Sequence, residues 1–275
     1  MSTEDNDEEL TRKQRREQAR VERRALEEAQ AAGASRRRRM QLLGGTVGTV
    51  VLAIVIVLVA TSGSSSKAPP KEGSKEATKI TSEISALVGG IRQTGNVLGN
   101  PTAPVTLVYF GDLECPVCRE FTLGALQSLI HRWVRGGDLR VEYRSLETAS
   151  REPETFKKQQ VAALAAGRQE KMWNFIETFY HEQGEENSGY VTESFLAGIA
   201  KQVPGLNLAQ WQAARGDSKL LSQVEEDAQA ANNQGFAATP SFLIGHTGGA
   251  TSKLEYSSLT DPTTFNEAIE KALKA

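Results

Sequence analysis

The sequence predicts an α/β domain with an inserted helical subdomain, preceded by a single transmembrane helix and a charged cytoplasmic tail. Three observations lead there. Residues 104–146 read as strand–helix–strand, which favours parallel pairing with a right-handed crossover. Residues 153–235 carry helical patterning throughout, and strand–strand–helix signals follow them. Residues 42–60 form a 19-residue run without a charge.

Residues 1–41 carry 11 Lys/Arg against 9 Asp/Glu, and the remainder carries 21 against 25. A near-neutral body gives no electrostatic case for nucleic acid as a partner. Residues 11–32, TRKQRREQARVERRALEEAQAA, are rich in helix formers but lack a wide apolar face, so they cannot bury themselves in a core. With Arg36, Arg37, Arg38 and Arg39 they could also serve as a basic arm for membrane lipid. The apolar run LLGGTVGTVVLAIVIVLVA, at about 1.5 Å per residue, spans about 28 Å as a helix and matches a bilayer core. It exceeds the usual apolar stretch of a cleaved signal, which favours a signal anchor. The arginines stand before it, and only Lys67 and Lys71 stand close behind, so the N-terminus is expected in the cytoplasm and the body outside. Residues 61–79, rich in Ser, Pro, Lys and Glu, read as a flexible linker, and the folded domain is expected over 80–275.

Within that domain PVTLVYFG (104–111) is a continuous apolar, β-branched run suited to a buried central strand. A helix is expected from the cysteines through Phe121, Leu126, Leu129, Ile130, Trp133 and Val134, ending at Gly136 and Gly137. LRVEYRSL (139–146) is the second strand. In the insertion, helices are expected to start at Thr192, about Asn207 and about Ser218, and Trp173, Ile176, Phe179, Tyr180, Phe195, Ile199 and Trp211 recur at helical spacing and read as core. TPSFLIG (239–245) is a strand opened by a proline, and KLEYSS (253–258) the last strand. Asp261 caps a C-terminal helix with Pro262 at its first position.

The chemistry concentrates in GDLECPVCRE (111–120), which holds both cysteines of the chain. Two cysteines in 275 residues exclude a disulfide scaffold. A closed zinc site needs four ligands, and neither a second CxxC nor paired histidines accompany Cys115 and Cys118. A structural disulfide here would close a very short loop and stabilise little. A redox dithiol fits better. At a strand-to-helix junction Cys115 meets free N–H groups and the positive end of the helix, which favour a thiolate. Pro116 suits the first helical position. Cys115 is expected to be exposed as attacking nucleophile, with Cys118 one turn inward as resolving thiol. His131, His181 and His246 are widely separated and read as surface or capping residues.

The stretches NVLGNPTAPVTLVYFGDLECPVCREF and TPSFLIGHTGG, together with the insertion and the final helix, resemble the DsbA-like group of thioredoxin-fold disulfide oxidoreductases, in particular the membrane-anchored bacterial forms. The resemblance covers residues 80–275. It implies that Cys115 is the nucleophile and Cys118 the resolving thiol. It implies also that Pro240 follows a cis peptide bond packed against the disulfide, with the Thr239 backbone free to bind an extended substrate strand. No cofactor is implied beyond the redox-active disulfide, and no metal. Two departures stand out. Tyr109 occupies a position that often holds a buried acid, six residues before the first cysteine. Glu114 and Asp112 are the nearby acids that could move a proton instead, although as loop residues they are expected to be solvated. The dipeptide between the cysteines is Pro116-Val117; Val117 supplies none of the positive charge that His gives the most oxidising relatives, so a milder oxidant is expected.

These readings lead to a membrane-tethered thiol–disulfide oxidoreductase that introduces disulfides into exported proteins bearing cysteine thiols. A membrane quinone-coupled partner of DsbB-like or vitamin-K-epoxide-reductase-like type would reoxidise it. A reductase or isomerase of the same fold is the first alternative, and a non-catalytic thioredoxin-like envelope module the second. A peroxidase arrangement around Cys115 is missing from the sequence.

Overall fold

The computed structural model describes residues 73–274. The expected tail, the apolar run at 42–60 and most of the expected linker lie outside the described residues. Among the described residues no helix is long and apolar enough to cross a membrane.

Helix α1 (Lys75–Val88) opens the domain, with Ser74 Oγ accepting the Ala77 N–H at 3.1 Å. It therefore begins inside the stretch expected to be linker. The Ser cap and the apolar positions Ala77, Ile80, Ile84 and Leu87 outweigh the Lys/Glu composition. A hairpin of two-residue strands follows, β1 (Gln93–Thr94) and β2 (Val97–Leu98), too short to leave a periodic signal.

Strand β3 (Val105–Gly111) is buried along its whole length, as its apolar, β-branched sequence requires. It pairs in parallel with β4 (Leu139–Ser145), from Val105 opposite Leu139 to Gly111 opposite Ser145. It pairs antiparallel with β5 (Ser241–His246), which in turn pairs with β6 (Thr251–Lys253). The six-stranded order is β1-β2-β4-β3-β5-β6. The β3–β4 crossover is the predicted strand–helix–strand unit. Strand β4 alternates: Leu139, Val141, Tyr143 and Ser145 face inward, while Arg140, Glu142 and Arg144 are half-buried on the other side.

The crossover is not one helix. Helix α2 (Pro116–Leu123) stops at Gly124, α3 (Ala125–Leu129) restarts, and a π-helical turn (Ile130–Val134) closes the segment. The reason lies in a neighbouring chain segment. The Leu259 carbonyl accepts the Ala125 N–H at 3.0 Å, and a Cβ on Gly124 would stand 2.6 Å from Glu120 O and 2.9 Å from Leu259 O. Only glycine admits that approach.

The insertion contains α4 (Pro153–Gly167), α5 (Met172–His181), α6 (Glu193–Gln202), α7 (Leu208–Ala214) and α8 (Ser218–Asn233). A loop around Gly184 and Gly189 separates α5 from α6, which begins at the expected Thr192 cap. Its aromatics are core. Trp173 packs edge-on to Tyr143, Phe179 to Phe195, and Trp211 donates to Ala162 O at 2.8 Å.

The last strand is three residues long and precedes most of the predicted KLEYSS. Tyr256 leaves the sheet to stack on Phe265 and meet Phe242 edge-on. Helix α9 (Thr263–Lys274) then packs on the sheet, with Asp261 Oδ1 accepting the Thr263 N–H at 3.0 Å. The main core lies on one face of the sheet, where Leu107, Tyr109 and Val141 meet Phe121, Ile176 and Phe265. A smaller cluster of Val108, Phe110, Leu146, Ala231 and Leu243 seals the opposite face.

Candidate active site

Strand β3 delivers the chain to the loop 112–115, and Cys115 is the N-cap of α2 with Pro116 next in the helix. Cys115 Sγ accepts the Cys118 N–H at 3.3 Å. The thiols are unbonded, Cys118 fully buried and Cys115 only 5% exposed. The expected exposure of Cys115 is thus corrected. The loop at Thr239, whose carbonyl lies 3.5 Å from the Cys115 sulfur, closes over it. The neighbouring Val117 is the exposed residue, at 41%. The Thr239–Pro240 peptide bond is cis.

The two sulfurs differ in acidity. The Cys115 thiol is held down from 9.0 to about 6, chiefly by the hydrogen bond from Cys118, against the opposing effect of burial. The Thr239 side chain and the backbone N–H groups of Cys118 and Val117 lower it further. Burial pushes the Cys118 thiol well up, and hydrogen bonding to Cys115 adds to this. The pair therefore holds one proton on the inner sulfur and leaves the outer one as nucleophile.

Beneath Cys118 lies a chain of phenols. Tyr109 donates to the Cys118 carbonyl at 3.4 Å, and its oxygen lies 3.2 Å from that of Tyr180. Tyr180 in turn donates to the Asp112 carbonyl at 3.1 Å. Burial raises both phenols far above their ordinary range, so they stay neutral and keep the floor of the site uncharged. From the insertion, Gln183 Nε2 donates to Leu113 O at 2.7 Å and Cys115 O at 3.1 Å, and Arg119 Nε donates to Tyr180 O at 2.8 Å. Tyr256 donates to Pro240 O at 3.3 Å.

The two loop acids are not solvated. Asp112 is fully buried. Its Oδ2 accepts the N–H groups of Thr148, Ala149 and Ser150 at 3.2, 2.9 and 3.0 Å. Its Oδ1 accepts Glu114 N–H, Ser150 Oγ–H and Gln159 Nε2–H at 3.0, 3.0 and 3.1 Å. Six donors occupy the lone pairs of one carboxylate, which leaves it no role as a proton carrier. Glu114 is 3% exposed, and burial raises its carboxyl. Hydrogen bonding with Ser150 and with the Asn187 backbone opposes that rise. Among the described residues no group of three or more His, Cys, Asp or Glu is placed to hold a metal ion. His131 and His246 are exposed and His181 is half-buried.

The sequence pattern found Cys115, Cys118 and Pro240, whose signals are local. It missed Thr148, Gln183 and the saturation of Asp112, and read Tyr180 only as core. Apart from the Glu114 N–H on Asp112, their partners lie 36 or more residues away in the chain, and no spacing rule connects them.

A CxxC dithiol at the N-terminus of a helix, opposed by a cis-proline loop on an α/β sheet, defines a thiol–disulfide oxidoreductase of the DsbA-like kind. The chain belongs to the thioredoxin family, whose profile matches residues 92–270. Disulfide bond formation protein D of Bacillus subtilis is 25% identical over 183 residues, covering 65% of this chain and 77% of that protein. The oxidised crystal structure of BdbD from Bacillus subtilis superposes with a TM-score of 0.56 at 22% identity, over 67% of this chain and 98% of the other. α-DsbA1 of Wolbachia pipientis superposes with a TM-score of 0.55 at 19% identity, over 70% and 96%.

Proposed function

We propose that this protein donates the Cys115–Cys118 disulfide to cysteine-bearing exported proteins while tethered to the cell membrane by residues 42–60. The unequal acidity of the two thiols carries this reading. In the oxidised enzyme a substrate thiolate attacks Cys115 Sγ. The Cys115–Cys118 bond breaks, and Cys118 leaves and takes up a proton. A second substrate thiolate then attacks the substrate sulfur of the mixed disulfide and expels Cys115. A thiol held near 6 is a good leaving group, so release of the oxidised substrate is fast. The substrate loses two electrons, and the enzyme ends as the dithiol. A stabilised Cys115 thiolate also favours the reduced form, which makes the disulfide oxidising.

The acidity of Cys115 falls between the values of about 3.5 for a strongly oxidising relative and about 7 for a reductant. That supports a milder oxidant, in keeping with Val117 and Tyr109. The name of the Bacillus subtilis relative supports the direction of electron flow. The positively charged residues before the apolar run support an extracytoplasmic catalytic domain and a cytoplasmic N-terminus. Reoxidation then falls to a membrane partner that passes electrons to quinone, of DsbB-like or vitamin-K-epoxide-reductase-like type.

Replacing the resolving thiol tests the reading. Cys118→Ala is expected to accumulate mixed disulfides with exported proteins, visible on non-reducing gels and abolished by adding Cys115→Ser. A well-expressed Cys118→Ala protein without such adducts would sink it. Thiol alkylation in cells should find the wild-type pair mostly oxidised; a mostly reduced pair would favour the reductase alternative.

A further inference from the structure

The loop after α5 returns to the turn that carries the dithiol. Gln183, two residues beyond the end of α5, is half-buried there. Its Nε2 donates to two carbonyls of that turn, Leu113 O at 2.7 Å and Cys115 O at 3.1 Å. Both N–H bonds of one amide are thus spent on the backbone around the first cysteine. The Cys115 carbonyl also accepts the Arg119 N–H at 3.1 Å, so Gln183 takes its second lone pair. Three residues earlier, Tyr180 donates to Asp112 O, and its own carbonyl accepts Arg119 Nε–H. Segment 180–183 therefore grips the turn on both sides of Cys115.

The aim of the sulfur depends on that grip. Cys115 sits in an extended N-cap conformation, φ -72° and ψ 118°, and in it Sγ accepts the Cys118 N–H at 3.3 Å. The two held carbonyls belong to peptide planes that flank Glu114 and Cys115, and fixing both planes restrains the dihedrals between them. We propose that Gln183 is a positioning residue for the reaction: it holds the Cys115 backbone so that the sulfur stays on the Cys118 N–H, which stabilises the thiolate. The inference rests on the reading of Cys115 as the attacking thiol. Cys118 on α2 and Tyr256 after β6 are titratable groups coupled to that sulfur, and Asp112 and Glu114 are the acids of the turn. Gln183 bonds to backbone carbonyls and not to these side chains, so replacing it leaves their own hydrogen bonds in place.

The test is a pH titration of the reduced full-length protein, following ultraviolet thiolate absorbance. Gln183→Met keeps the length of the side chain and removes both donors. It is expected to raise the Cys115 midpoint by about one pH unit, the scale of one hydrogen bond to a charged group. The redox equilibrium with glutathione is expected to move several-fold toward the disulfide form, because the reduced protein loses a stabilised thiolate. Labelling the cysteines with nitrogen-15 reads the geometry directly. The Cys118 amide signal is expected to shift less across the titration in the variant than in the wild type. If Gln183→Met does not fold, Gln183→Asn, one methylene shorter, takes its place and is held to the same outcomes. A melting temperature that falls while the midpoint stays would show a merely structural bond and overturn the inference. A raised midpoint with an unaltered Cys118 amide response would overturn it as well, because the effect would then reach the sulfur by another route. The outcome is separable from the oxidase reading: a raised midpoint with no trapped Cys118→Ala adduct removes that reading and leaves the role of Gln183, and a trapped adduct with no shift removes the role of Gln183 alone.

Discussion

At the scale of single residues, the hydrogen bond from Cys118 to Cys115 and the deeper burial of Cys118 divide two identical thiols into an acid and a non-acid. Cys115 is held at about 6 in the folded dithiol against an ordinary value of 9.0, so the folded reduced protein binds fewer protons than the unfolded chain between those limits. Its contribution is present above about 9 and lost as pH falls through about 6. The stability of the reduced protein relative to the disulfide form is therefore expected to rise over that window, with a limiting slope of about 1.4 kcal/mol per pH unit. Denaturant unfolding of both forms at several pH values checks this, and a flat difference would contradict it. A second buried acid works in the opposite direction. Glu177 on α5 is fully buried, neither carboxylate oxygen has a hydrogen-bond partner, and burial raises the group from 4.5 to about 8. The folded state keeps a proton that the unfolded chain releases near 4.5, so stability conferred below that pH is lost as pH rises toward 8. Glu177→Gln removes the titration. It is expected to stabilise the protein at pH 7 and above and to flatten this part of its pH dependence, as thermal melts would show.

At the scale of elements, the break in the crossover segment is the feature that periodicity could not announce. Phe121, Leu126, Ile130 and Val134 fit one amphipathic helix, and nothing near Gly124 in the sequence signals the Leu259 carbonyl that enters there. Gly124→Ala is expected to cost about 2 kcal/mol or more, because both close neighbours are backbone and cannot swing aside. Chemical denaturation measures this, and a loss below 0.5 kcal/mol, about the scale of a neutral surface change, would show that the segment can straighten. Elements with a dense local signal were legible. The apolar run of β3, the alternation of β4 and the capped starts of α6, α7 and α8 agree with their spans. Elements set by distant partners were not. The two-residue strands β1 and β2 exist through pairing with each other and with β4, and Tyr256 leaves the last strand for Phe242 and Phe265.

At the scale of the whole molecule, all interactions of the dithiol described above arise within residues 73–274. A chain lacking residues 1–60 is therefore expected to remain in the soluble fraction and to keep a Cys115 midpoint near 6, while the full chain sediments with membranes. Full-length protein in the soluble fraction would remove the tether from the proposal. The candidate site was legible in its nucleophile and in its proline because both belong to contiguous signatures. Its supporting groups were opaque because folding gathers them from three separate stretches, 109–122, 148–159 and 180–187. That division has a consequence for descent. The sheet supplies Tyr109 to the floor of the reactive pair, and the insertion supplies Tyr180 to the same floor and Gln183 to one wall. Lineages can therefore retune the temper of the dithiol through the insertion as well as through the sheet.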